Sequence, residues 1–383
     1  MKRIFPVLAA FVLGGCSWFG GGSNLEPPAE LVDFKSAATV SELWSRDIGT
    51  GPKEQFLKLS PVLQADTIYV CDTRGRVQAL AASNGDERWQ TDLDIAVSAG
   101  VGLGDDLVLV ASRKGDVVAL DRSHGKMLWR AQVSSEVLAP PAAEAGVVVV
   151  QSVDGRLVAF SSSAGKRLWS FERTEPILSL RGTSTPVIVT DAVLTGFASG
   201  RLAALNLRDG RPLWEIPVAQ PQGRSEIERL IDVDAPVLVT GRTLIAAAYQ
   251  GKIVALSLED GHLLWSREIS VNSALSADAS NVYVSDVRDQ IYALDLRSGA
   301  TVWKQEQLRG RHLSAPVVTG NAIAMGDFEG YVHWLAREDG RFLARVRVAH
   351  AAVLATPAVS DTTLYVATQN GNLAALRLEP HAP

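Results

Sequence analysis

Apolar and polar positions alternate along this chain in short bursts, and the bursts return with a period of about forty residues, a spacing typical of repeat architectures. The best-preserved part of the unit, Gly-x-x-x-Ala-Leu and its variants, starts at 75 (GRVQAL), 115 (GDVVAL), 155 (GRLVAF), 200 (GRLAAL), 251 (GKIVAL), 289 (DQIYAL), 330 (GYVHWL) and 371 (GNLAAL). Fourteen positions after each of the first seven starts one slot recurs, filled by Trp89, Trp129, Trp169, Trp214, Trp265 and Trp303, and then by Ala344. The spacing inside the unit does not slip.

Each unit reads as strands. An apolar run rich in β-branched residues, such as TIYVC or VVVVQ, precedes the Gly-x-x-x-Ala-Leu strand, and a turn leads on to the Trp strand. The turn carries Gly85, Gly125, Gly165, Gly210, Gly261, Gly299 or Gly340, residues that accept the positive φ of tight hairpins. A further short run often opens with proline (Pro61, Pro141, Pro186, Pro236, Pro316, Pro357) and supplies an innermost strand. Four-stranded antiparallel sheets repeated radially make a β-propeller, so the expectation is an all-β, eight-bladed ring. The eighth unit stops before its Trp strand, while SELWSRDI near the amino terminus holds Trp44 with no unit before it. The Trp44 strand is therefore expected to complete the blade begun by residues 357–378 and close the ring without long open edges. In this reading the seven tryptophans are structural wedges, each burying roughly 200 Å² between blades. Ala344 then marks one under-filled junction, to be compensated by Phe342 or Trp334.

The amino terminus is different. MKRIFPVLAAFVLGG has a basic start and an apolar run too short to span a bilayer, which needs about 20 residues. Residues 1–15 read as a signal peptide. The ending Leu13-Gly14-Gly15-Cys16 resembles the lipobox of bacterial lipoproteins, which implies acylation of Cys16 by three chains, and Ser17 in place of Asp implies the outer membrane as destination. Residues 16–38 are assigned to the lipidated cysteine and a flexible tether containing SWFGGGSN, 39–379 to the propeller and 380–383 to a tail.

Charge and cysteine content narrow the function classes. Without Lys2 and Arg3 the chain holds 35 basic against 42 acidic side chains, a net charge of about −7 that disfavours nucleic acid as a partner. Cys71 is the only cysteine in the body; it lies in an apolar strand and reads as a buried, inert thiol.

Departures from the period show where something was added. Trp169 to Pro186 is seventeen residues and Trp214 to Pro236 twenty-two, against twelve from Trp129 to Pro141. These two long connections join blades three to four and four to five, so they emerge side by side on one rim, and long loops on a rigid scaffold are where binding surfaces are built. A third, from Trp44 to Pro61, shares that rim. In the second loop Ser225-x-x-Glu228 predicts a capping box opening a short helix with Ile227, Leu230 and Ile231 on one side. Leu178, Leu180 and Arg181 with Asp232 and Asp234 give an apolar centre beside opposite charges. Two readings follow from the residues alone: a partner-binding patch, or an internal Arg181 pair with Asp232 or Asp234 above leucines that cover the core.

The pattern Ala-Leu-Asp-x-x-x-Gly-x-x-x-Trp, seen in ALDRSHGKMLW (119–129) and ALDLRSGATVW (293–303), resembles the tryptophan-docking motif of the PQQ-type propellers. Quinoprotein alcohol dehydrogenases and the BamB family of outer-membrane assembly lipoproteins share it. Lipobox, eight compact blades and the two insertions resemble the BamB family. That resemblance implies a scaffold without catalysis or cofactor on the periplasmic face of the outer membrane, a component of the BAM complex that aids folding and insertion of β-barrel proteins. It also implies that LSLRG (178–182) and EIERLIDVD (226–234) contact BamA through Leu178, Leu180, Arg181, Asp232 and Asp234, and that client segments could pair with an outer blade edge. The alternative, a PQQ-dependent quinoprotein dehydrogenase, would bring adjacent cysteines, calcium ligands and long pocket-forming insertions. A third reading is a peptidoglycan-associated lipoprotein with other partners.

Several motifs mimic chemistry. Gly100-x-Gly102-x-Gly104 precedes a strand instead of the helix that a phosphate loop requires, and reads as a turn. SHGK (123–126) and SAGK (163–166) occupy the repeated hairpin turn, and no pair among the six histidines has metal-ligand spacing.

Overall fold

The computed structural model describes residues 26–381 apart from 56, 177 and 223, so the expectations for the signal peptide, Cys16 and SWFGGGSN lie outside the described residues. Among those described, the chain forms eight four-stranded antiparallel sheets. Blade one spans 62–92, blade two 97–132, blade three 142–172, blade four 187–217, blade five 238–267, blade six 276–305 and blade seven 317–347. Blade eight takes Ala358–Ser360, Thr363–Ala367 and Asn372–Pro380 from the end of the chain and Ala38–Asp47 from its beginning. Ala38 lies opposite Pro380 and Asp47 opposite Asn372, which is the expected closure. The short strand that opens each blade packs against its counterparts in neighbouring blades, which places it innermost. The core lies between blades: Val147, Val149, Leu157 and Ala159 of blade three meet Val193, Phe197 and Leu205 of blade four. Because its faces are covered on both sides, a middle strand such as Val147–Gln151 is buried throughout, and its sequence is a continuous apolar run instead of an alternation.

The repeated tryptophans lock each blade to the next. Six donate the indole N–H to a carbonyl of the following blade: Trp44 to Ala82 (3.0 Å), Trp89 to Arg122 (2.9 Å), Trp129 to Ser162 (2.7 Å), Trp169 to Leu207 (2.8 Å), Trp265 to Leu296 (3.0 Å) and Trp303 to Arg337 (2.8 Å). Each indole also lies flat on the turn glycine of that blade. At Gly299, φ is +69° and a Cβ would stand 2.6 Å from Trp265 Cε3, so the repeat needs glycine there twice over, for conformation and for room. Trp214 is the exception. It is half-buried, makes no such hydrogen bond, and sits further from its glycine, Gly261.

Ala344 has a topological explanation. Its side chain would face the hairpin turn of blade eight, but there the two outer strands come from opposite ends of the chain, and no turn exists. Trp334, directly opposite Ala344 and fully buried, fills the junction from within blade seven. Phe342 does not compensate: a bulge between Trp334 and Leu335 turns it toward blade six, where it joins Trp303 and Leu308.

Two further expectations change. Gly100, Gly102 and Gly104 lie in the strand Val97–Gly104, not in a turn; a Cβ on Gly102 would stand 1.9 Å from the carbonyl oxygen of Pro141 and one on Gly104 1.8 Å from that of Ala143, so these two glycines admit the backbone that opens blade three. Residues 26–37, assigned to the tether, lie along blade seven with specific contacts, so the ordered body begins well before residue 39.

Candidate functional site

The two long connections meet on one rim, as their spacing predicts, beside the mouth of the central channel. In the first, Leu178 is exposed, Leu180 half-buried and Arg181 exposed. Arg181 turns toward neighbouring connections: Nη2 donates to Glu136 Oε1 at 3.0 Å and Nη1 to the carbonyl of Gln55 at 3.3 Å. The internal pairing with Asp232 or Asp234 does not form. Glu136 belongs to the connection between blades two and three, whose regular length carries no signal.

In the second connection the capping box is present. Glu228 accepts from the backbone N–H of Arg224 (2.7 Å) and Ser225 (3.1 Å), and Ser225 Oγ accepts from Glu228 N–H (3.2 Å). It closes a single turn, Arg229 N–H to Ser225 carbonyl at 3.1 Å, and not the predicted helix. The chain then dives inward. Ile227 stays 71% exposed, Ile231 enters the core at 3%, and the carbonyl of Asp232 accepts from Tyr249 N–H at 2.7 Å. The expected apolar side is thus split, because the segment must anchor itself between blades four and five.

Asp232 is correspondingly not a surface charge. It is 2% exposed, and it gathers with Asp234 and Glu175 where the two connections cross. Burial first, then the neighbouring Asp234 and Glu175, pushes the Asp232 carboxyl far above the usual range, against a backbone N–H from Leu180. Burial likewise raises Asp234, opposed by Asp232 and by the charge of Lys58. Glu175 is raised to about 7, chiefly by burial, with the backbone N–H groups of Ser199 and Ala198 and the charge of Arg173 working against it. Gly182 lies directly on Asp234, where a Cβ would come within 2.3 Å of Oδ2. The carboxyl groups are thus crowded together where the loops cross, with Asp232 Oδ2 and Glu175 Oε2 buried there without a hydrogen-bond partner. Glu175 stands in the first loop's sequence, FERTEPILSLRG, but only its burial reveals this place.

The channel mouth itself is a cavity of about 340 Å³, lined among others by Leu57, Lys58, Leu138, Arg181, Asp234 and Leu354. Lys58 Nζ donates across it to the carbonyl of Asn272 at 3.3 Å. Its side chain is open to the cavity, yet the surrounding walls desolvate the ammonium and lower its pKa. Cys71 is buried in Thr67–Cys71 with its thiol pushed up to about 12 by burial. No three His, Cys, Asp or Glu side chains among the described residues are grouped to hold a metal ion.

Comparison with known proteins adds four findings. The family model described as outer membrane protein assembly factor BamB matches residues 73–305 and 297–379. The outer membrane protein assembly factor BamB of Pseudomonas aeruginosa is 48% identical over 375 residues, covering 98% of both chains. The crystal structure of BamB from Moraxella catarrhalis superposes with a TM-score of 0.80 at 26% identity, over 88% of this chain and all of that one. A quinohemoprotein alcohol dehydrogenase from Pseudomonas putida shares the fold at TM-score 0.71 and 13% identity, over 90% of this chain and 77% of that one.

Proposed function

The chain belongs to the family of the outer membrane protein assembly factor BamB, and we propose that it serves outer-membrane protein assembly as a lipid-anchored, non-catalytic scaffold that grips BamA with its rim loops. The anchor is Cys16, the body faces the periplasm, and the partner is the BAM complex, where the chain assists folding and insertion of β-barrel proteins.

One observation carries the partner assignment. Leu178 and Arg181 are both held out on the first connection, and Arg181 is braced by Glu136 and by the carbonyl of Gln55 on neighbouring ones, so the rim offers an apolar group and a planar guanidinium side by side. Leu178, Leu180 and Arg181 make the contact. Asp232 and Asp234 act from within, positioning the loop through Leu180 and Gly182. Arg181→Glu and Leu178→Asp are the tests: both leave thermal unfolding unchanged, since the Arg181 pair is a surface pair worth at most about 1 kcal/mol, and both lower BamA co-purification at least about tenfold. Undiminished co-purification with either variant would overturn the assignment.

The outer strands support a contact with client proteins. The residue before each docking tryptophan is an exposed aliphatic in most blades, including Leu43, Leu128, Leu168, Leu213, Leu264 and Val302, beside an open strand edge. An extended apolar segment can pair with such an edge. A photocrosslinker at Leu128 is expected to capture unfolded barrel proteins during export, and a blank there would reject this contact.

A further inference from the structure

Blade seven breaks the repeat at His333, Trp334, Phe342 and Ala344, and beneath the break lies a buried charge network. Arg311, 3% exposed, donates Nε to Asp327 Oδ2 at 2.8 Å, and the same oxygen lies 2.9 Å from His333 Nε2, with Asp327 and His333 fully buried. Burial keeps His333 neutral by lowering its pKa; burial also works against an ionised Asp327, but His333 and Arg311 still hold that carboxyl below the usual range.

The network opens onto residues 26–37. Arg311 Nη1 donates to the carbonyl of Ala29 (3.1 Å), and Ala29 N–H donates to the carbonyl of Arg309 (2.8 Å). Further along, Arg345 Nη2 donates to the carbonyl of Val32 (2.6 Å), and its guanidinium lies 5.2 Å over the ring of Phe34. Phe34 in turn stacks on Phe342, centroids 5.0 Å apart and planes 23° apart. Ala37 N–H closes the run on the carbonyl of Leu343 (2.9 Å).

Direction matters here. Arg309 sits in the connection from blade six to blade seven, the same kind of link as the two partner loops and therefore on their rim, whereas Leu343 follows the hairpin turn on the opposite rim. The segment crosses the blade from rim to rim, and Ala38–Asp47 brings the chain back. With residues 26–37 seated, the chain leaves the ring at Glu26, whose carboxylate lies 2.9 Å from Arg309 on the loop rim. Without the seat it would leave at Ala38, on the hairpin rim. The difference in reach is large: residues 17–25 extend to at most about 30 Å, and residues 17–37 to about 70 Å.

We propose that blade seven is a receptor for the chain's own residues 26–37, and that seating this arm carries the lipid-anchored terminus from the hairpin rim to the loop rim, so that the partner loops face the bilayer. The proposal rests on the Cys16 anchor proposed above. It also accounts for the divergence of blade seven, whose exceptional residue Phe342 touches the arm and whose His333 braces the Asp327–Arg311 pair that holds it.

Two measurements test it. In the Cys16→Ser chain, amide exchange at Ala29 and Ala37 is expected to be at least about a hundredfold slower than in a free peptide; free-peptide rates would overturn the seat. In the full acylated chain in proteoliposomes, energy transfer to a lipid-borne acceptor is read from a dye at Gln222→Cys on the loop rim or Ser163→Cys on the hairpin rim, Cys71 being too buried to compete for label. Transfer from the loop rim should exceed that from the hairpin rim at least about twofold, and the arm-releasing Phe34→Ala/Arg345→Gln pair should bring the ratio to about one. Equal transfer in the native chain, or a ratio that ignores arm release, overturns the orientation. Should the double variant unfold, Phe34→Ala alone, which leaves blade seven intact, is read the same way. Mass analysis separates the two readings: an unacylated Cys16 overturns the anchor and with it the orientation, while amide exchange still decides whether the arm is seated.

Discussion

Replacing Asp232 by asparagine asks whether this carboxyl works inside the rim or outside it. In the folded chain burial, Asp234 and Glu175 keep Asp232 protonated far above 3.8, the value at which an unperturbed aspartate ionises. Its folded pKa is thus raised. The stability it contributes is complete below about pH 4 and is lost as pH rises, because the unfolded chain releases a proton that the folded chain retains. One retained proton is worth at most about 1.4 kcal/mol per pH unit, so between pH 6 and pH 8 the native chain gives up stability, at most about 3 kcal/mol, more steeply than an asparagine variant. Asparagine keeps a donor for Asp234 and has nothing to titrate. Asp232→Asn is therefore expected to be the more stable protein at pH 8, with a flatter pH dependence and unchanged BamA co-purification. Asp232→Lys forces a longer side chain into the crowded crossing beside Asp234 and Glu175, at a cost of about 1–3 kcal/mol in displaced packing, and frees the Leu178–Arg181 loop, so it loses stability and partner together. Urea unfolding followed by tryptophan fluorescence at both pH values, beside the co-purification, decides the matter. Parallel pH profiles for the native chain and Asp232→Asn would refute the buried-acid argument. A stable Asp232→Asn that no longer holds BamA would show that an ionised carboxylate touches the partner.

The docking tryptophans make a paired prediction: Trp265→Phe removes the indole bond to Leu296 and costs about 1–3 kcal/mol, while Trp214→Phe, with no such bond to lose, costs less than about 1 kcal/mol, both read as shifts in unfolding midpoint. Gly299→Ala forces a Cβ against Trp265 at a positive φ and should cost at least about 2 kcal/mol by the same measurement; wild-type stability would show that the turn yields. Ala344→Trp, which restores the repeat's consensus, should destabilise by about 1–3 kcal/mol, since Trp334 already fills that junction; a gain in melting temperature would contradict the topological account of the alanine.

Ala344 also shows what sequence could and could not tell. Blade number, strand order and ring closure were legible because the Trp slot and the turn glycine recur at fixed spacing, and each spacing reflects one physical contact, an indole on the next blade's hairpin. The same rule makes Ala344 and Trp44 a single fact: where the termini meet there is no hairpin to dock on, so the tryptophan is absent before the seam and present after it. Contacts that no repeat copies left no such trace. Asp232 reads as a surface charge because its burial depends on where one irregular loop crosses another, and Arg181 finds Glu136 on a different connection altogether. Phe34 meets Phe342 across almost the whole length of the chain. What repetition hides is therefore found by asking which residues in a repeat stop doing its work: Phe342, Trp334 and His333 fill positions where the other blades carry the standard scaffold, and they do so where one strand of the ring must also receive the start of the chain.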